Sequence, residues 1–176
     1  MAGTARPVVI VGDPVLHHPT APVTAFDEQL STLIEDLFAT MKVAEGVGLA
    51  ANQIGVAQAV FVYDCHDDDG VTHRGHMVNP RIIAETGPEQ KMDEGCLSVP
   101  GPYASLGRPY AVTVSGQDKH GAPIEITGTG FLARCLVHET EHLQGTLYID
   151  HLNRRKRNRV LSDIEPFPWN GPLPVG

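Results

Sequence analysis

The pentapeptide HETEH, His138 to His142, limits this chain more than any other feature, because on a helix its two histidines can act together. Positions four apart share one helical face, so both imidazoles can reach a single metal ion, with Glu139 beside it. A carboxylate there can take a proton from a water held by the metal, and the pattern therefore reads as metal-assisted hydrolysis rather than metal storage. The flanking residues agree with a helix. After Gly128 and Gly130, the residues Phe131, Leu132, Cys135, Leu136, His142 and Leu143 recur on one broad face. Thr129 is the expected N-cap and Gly145 the expected C′ residue.

The rest of the chain supplies a sheet for that helix to pack on. Phe26, Leu30, Leu33, Ile34, Leu37, Phe38 and Met41 form a helical stripe over about 27–43, with Thr24 and Asp27 resembling a capping box and Gly46 and Gly48 expected to stop it. Val8 to Val11 is short and β-branched. Strands are expected over 59–63, 77–84, 110–115 and 124–127, separated by the turn sequences DDDG after His66 and DKHG before Ala122. These elements predict an α+β class and one domain over 1–176, with an irregular Pro- and Gly-rich tail from about residue 165.

Composition narrows the function. A chain of 176 residues with 41% hydrophobic content can bury a real core, and no run approaches the roughly 18 apolar residues of a membrane helix. The N-terminus lacks the longer apolar stretch of a signal peptide, and Cys65, Cys96 and Cys135 suggest no disulfide framework, so a cytoplasmic location without membrane attachment is expected. The net charge of −8 argues against general nucleic-acid binding. It is uneven, however, since Arg154, Arg155, Lys156, Arg157 and Arg159 make a local basic face. That face reads either as a solvated helix or as a contact for an anionic surface such as ribosomal RNA.

Two histidines need a third ligand. An extended metzincin pattern would place a histidine three residues beyond Gly145, where the chain has Tyr148, and His151 is three residues late. Glu165 could complete a two-histidine, one-carboxylate set but sits among prolines. Cys96, in EGCLSVPG, would give two imidazoles and one thiolate, leaving a fourth position open as catalytic sites require. Cys135 is the competing thiol, one helical turn before His138, where packing suits it better.

The segment GVGLAANQ, Gly46 to Gln53, formally contains G-x-G-x-x-A but follows a helix rather than a strand, so it is not read as a dinucleotide fingerprint. Its glycines would let a substrate backbone approach closely, and the Gln53 amide can face developing negative charge.

Taken together, GVGLAANQ, EGCLSVP and HETEHLQG, in this order and spacing, resemble the three signature segments of peptide deformylase over about residues 8–150. The resemblance implies a mixed, mainly antiparallel sheet around a central helix carrying HExxH. It implies removal of the N-formyl group from the initiator methionine of nascent polypeptides, with release of formate. Cys96, His138 and His142 would hold Fe(II), with Zn, Ni or Co as substitutes. Glu139 would carry the proton, while the Gln53 amide and the Leu97 N–H would face the oxyanion. Gly46, Gly48 and Gly95 would adjoin the substrate backbone, and Val47, Phe131 and Cys135 would wall the methionine pocket. Glu141 departs from the Asp usual in the family's H-E-x-D-H segment, which implies altered hydrogen bonding around the ligands rather than a lost ligand.

Overall fold

Asp27 starts the first helix on its own: its carboxylate accepts the Leu30 N–H at 3.1 Å, so the cap is one residue rather than a box with Thr24. The computed structural model describes residues 2–171, and α1 runs Glu28–Val43. Leu30, Leu33, Ile34, Leu37 and Met41 are buried together with Val8, Leu49, Val60, Val62 and Val78. Neither Gly46 nor Gly48 supplies the stop. Glu45 takes φ +54°, its N–H reaches the Lys42 carbonyl at 3.3 Å, and the Gly46 N–H reaches the Met41 carbonyl at 2.9 Å. Those are the two bonds of a Schellman cap, with a glutamate where glycine is usual.

Strands β1 (Gly48–Ala50), β2 (Val60–His66), β3 (Thr72–Cys96), β4 (Val99–Gln117) and β5 (Pro123–Thr129) pair in chain order as one antiparallel sheet. The expected mixed sheet is thereby corrected. Among the described residues, parallel pairing is confined to an isolated bridge between Ala21 and Gln58. Both predicted reversals form by one device: Asp67 Oδ1 accepts the N–H groups of Asp69 and Val71, and Asp118 Oδ1 those of His120 and Ala122. Val8 to Val11 is extended but makes no ladder; it bonds instead to Trp169, Gln53 and Ser98.

β3 and β4 far outrun the strands expected from periodicity. Pro80 and Pro88 interrupt that pattern, and the sheet takes them up at register shifts between Val78 and Arg81 and between Thr86 and Glu89. A further irregularity between Glu94 and Cys96 precedes the two-residue turn Leu97–Ser98 into β4. The long, repeatedly bent hairpin carries that turn to the helix bearing HETEH.

That helix, α2 (Gly130–Leu143), contacts all five strands. Every one of its 14 residues except Phe131 and Glu141 is buried, so the single broad face expected from the pattern is a helix covered nearly all round. Thr129 precedes it without a side-chain cap bond, its hydroxyl accepting the Asp68 N–H at 3.2 Å instead. Gly145 takes the left-handed conformation just past its end, at φ +79°. A third helix, α3 (Arg154–Ser162), exposes Arg154, Arg155, Lys156 and Arg159, while Arg157 is half-buried and lies 3.8 Å from Asp150. Among the described residues no helix is long and apolar enough to cross a membrane.

Candidate active site

α2 brings His138 and His142 onto one face, with their Nε2 atoms 3.1 Å apart, and the β3–β4 turn sets the Cys96 sulfur 3.3 Å from His142 Nε2. The three ligand atoms lie within 4.8 Å of one another and form a group that could hold a metal ion. The two separations that include His142 are near those of a tetrahedral site. Bond lengths of about 2.0–2.1 Å to nitrogen and about 2.3 Å to sulfur give tetrahedral edges of about 3.3 Å and about 3.6 Å. Cys135 and Glu165 are not in this group. Cys135 is buried with its thiol toward the Val47 carbonyl at 3.6 Å, and Glu165 is exposed on the C-terminal segment.

The group adjoins a cavity of about 290 Å³. His138, Cys96 and Glu139 line it, as do Gln53 and Leu97. The residues expected against the substrate also line it: Gly46, Val47, Gly48, Gly95, Phe131 and Cys135. His142, fully buried, stands behind them. The Gln53 amide is fixed at both ends, its oxygen accepting the Ala50 N–H at 2.9 Å. Its nitrogen donates to Ser98 Oγ at 3.1 Å and points to the Cys96 sulfur at 3.7 Å.

Glu139 is 4% exposed and its Oε2 has no hydrogen-bond partner. Burial pushes this carboxyl up to about 7, against the opposing pull of His138. An unpartnered buried carboxyl with a raised pKa, beside a ligand group and open to a cavity, is poised to exchange protons. Gly48 makes room for it. A Cβ at position 48 would lie 2.7 Å from Glu139 Oε1 and 2.9 Å from the Cys135 sulfur. Gly48→Ala is expected to destabilise the fold by about 1–3 kcal/mol through overpacking, seen as a lower denaturation midpoint; an unchanged midpoint would reject the steric account. At Gly95 the missing side chain admits the ring of Tyr103, whose Cε1 would be 2.5 Å from a Cβ.

Sequence reasoning missed the residue that orients His138. Glu94, 4% exposed, accepts from His138 Nδ1 at 2.8 Å, from Arg108 at 2.7 and 3.0 Å, and from Arg134 at 3.0 Å. Burial alone would raise its carboxyl, but the hydrogen bonds from His138 and Arg108 hold it well below the usual carboxylate range. A carboxylate on Nδ1 leaves Nε2 as the ligating atom and fixes the ring plane. The signal in the sequence was its place two residues before Cys96. Arg108 extends the network to Glu141 at 2.8 Å, and His151 meets Glu141 at 2.9 Å. Glu141 therefore acts at a distance from the ligand atoms, through Arg108 and Glu94. Replacing Glu94 by Ala would leave the buried Arg134 guanidinium with only the Leu106 and Gln90 carbonyls, and the buried Arg108 with only Glu141. We expect a loss of about 3–5 kcal/mol in unfolding free energy; a loss below about 1 kcal/mol, the scale of an exposed pair, would contradict that reading.

A family model described as polypeptide deformylase matches residues 5–158. Peptide deformylase 1 of Streptomyces avermitilis is 51% identical over 170 residues, covering 93% of this chain and 79% of that protein. Peptide deformylase 2 of Streptomyces coelicolor is 48% identical, covering 96% and 94%. A crystal structure of a peptide deformylase from Legionella pneumophila superposes with a TM-score of 0.83 at 43% identity, over 91% of this chain and 93% of that one. The match to the family model, at this identity and coverage in the relatives, agrees with the three signature segments: the chain belongs to the polypeptide deformylase family of enzymes.

Proposed function

We propose that this enzyme removes the N-formyl group from the initiator methionine of nascent polypeptides, releasing formate. The observation that carries the reading is the placement of Glu139 beside the Cys96–His138–His142 group at the inner end of one cavity. When bound by those three residues, a metal supplies the Lewis acidity that polarises the formyl carbonyl and eases deprotonation of water. Iron(II) is our choice of native metal, with zinc, nickel or cobalt as substitutes that suit two imidazoles and a thiolate.

The protein's own residues do the remainder. Glu139 takes the proton of the attacking water and returns it to the leaving nitrogen. The Gln53 amide and the Leu97 N–H donate to the oxyanion; one of the two Gln53 N–H donors is held by Ser98, and the other, now on the side of the Cys96 sulfur, serves the substrate. Gly46, Gly48 and Gly95 adjoin the substrate backbone in extended form. Val47, Phe131 and Cys135 form the apolar wall for the methionine side chain. Glu94 holds His138 in the ligating tautomer.

The test is formate release from formyl-Met peptides by anaerobically purified enzyme, with metal analysis of the same sample. Cleavage of unblocked peptides instead would favour a metallopeptidase of another kind. A cytoplasmic site of action and a ribosome contact through the exposed basic face of α3 complete the proposal. If neutralising Arg154, Arg155, Lys156 and Arg159 leaves ribosome co-sedimentation at moderate salt unchanged, the contact is refuted.

A further inference from the structure

The last described residues of the chain, 163–171, cross the mouth of the cavity, and the chemistry proposed above makes no use of them. The Glu165 N–H donates to the Pro100 carbonyl at 3.0 Å, and the Trp169 carbonyl accepts the Val8 N–H at 2.9 Å. Asn170 Nδ2 donates to the carbonyls of Val8 and Leu97 at 3.0 and 3.2 Å. The segment is thus tied to the start of β4 and to the turn bearing Leu97. It lies beyond the residues matched to the family.

Between these ties Phe167 and Trp169 stack, with ring centroids 5.1 Å apart and planes 11° from parallel, and both line the cavity. Burial grades along the cavity wall. Gln53 and Glu139 are 1% and 4% exposed, whereas Phe167 is 45% and Tyr103 71% exposed. The aromatic rings therefore stand at the outer end. Trp169 packs on the α1 core, so the ring of Phe167 is backed by a partly buried neighbour and keeps one side open.

We propose that Phe167, backed by Trp169, is a specificity-determining subsite for an aromatic or large apolar side chain at the second or third residue of the substrate. The proposal rests on the deformylase reading. A peptide whose formyl group reaches Glu139 leaves the site in extended form at about 3.3 Å per residue, with side chains alternating in direction, so one of the two following the methionine faces the stacked rings. Stacking against a rigid aromatic face favours an apolar or aromatic side chain. Exposed Glu45 and Asp93 line the same mouth, and Arg134 is engaged by Glu94, so an acidic side chain is disfavoured.

The test compares formate release from formyl-Met-X-Ala and formyl-Met-Ala-X, with X as Phe, Ala or Asp. At one of the two positions kcat/KM for Phe is expected to exceed that for Ala by about tenfold, with Asp lowest. The preference should collapse in Phe167→Ala and return in Phe167→Tyr. Trp169, the only tryptophan in the chain, gives a readout independent of turnover. Its emission, followed during titration with the unformylated product peptides, should half-saturate at a lower concentration for the Phe peptide than for the Ala peptide. Equal values for Phe and Ala at both positions, or a preference that survives Phe167→Ala, would overturn the subsite. Formate release from none of the formylated peptides would overturn the deformylase reading itself, and the subsite with it.

Discussion

Glu139→Ala is expected to lower kcat for formate release by about 10²–10⁴-fold, the range for loss of a positioned proton carrier, while the protein still binds its metal. Two observations make the separation sharp. Glu139 is outside the group of convergent ligand atoms, and its Oε2 has no hydrogen-bond partner, so the substitution breaks no bond that holds His138, His142 or Cys96. It also removes a buried carboxyl whose desolvation is unfavourable, which works against any loss of stability. Metal content and formate release should be measured on one preparation. A variant that comes out metal-free would make Glu139 a ligand or a support for one, and the proton-carrier assignment would fail.

The second large effect concerns the two thiols near the histidines. Cys96→Ala is expected to abolish stoichiometric metal binding and with it activity, since two imidazoles alone leave an incomplete set for a catalytic site. Cys135→Ala should keep the metal. The Cys135 thiol is directed to the Val47 carbonyl, and its loss opens space beside Gly48 and Glu139, so KM for formyl-Met peptides should change more than metal content. Metal analysis after gel filtration distinguishes the pair. If Cys135→Ala emerges metal-free and Cys96→Ala does not, the ligand role passes to Cys135.

Much of the fold was legible because its signals are local. The α1 stripe, the Asp67 and Asp118 turns and the helical setting of HETEH each depend on spacing within a few residues, and each is present as read. Strand lengths were not legible. Pro80, Pro88, Pro100, Pro102 and Pro109 look like breaks in a one-dimensional pattern, yet the long hairpin absorbs Pro80 and Pro88 at register shifts whose cost is met by pairing elsewhere in the sheet. The parallel component of the sheet, implied by the resemblance rather than by the strand pattern, is confined among the described residues to the Ala21–Gln58 bridge.

The candidate site divides along the same line. Sequence alone determined that His138 and His142 face one way, with Glu139 next to His138 in the chain, because four residues make just over one helical turn. It also favoured Cys96 over Cys135 and Glu165, and marked the family through three segments. Only the tertiary structure decided what surrounds them. Glu94 meets Arg108 from 14 residues away, Arg134 from 40 and His138 from 44, and Glu141 joins through Arg108 rather than touching the ligand atoms. The stacked Phe167 and Trp169 reach the cavity from a tail that reads as irregular. A buried charge must find a partner wherever the folded chain passes it, and an aromatic ring packs on whatever face the bends of the hairpin present. HETEH states which atoms converge; the bent β3–β4 hairpin states what they converge with.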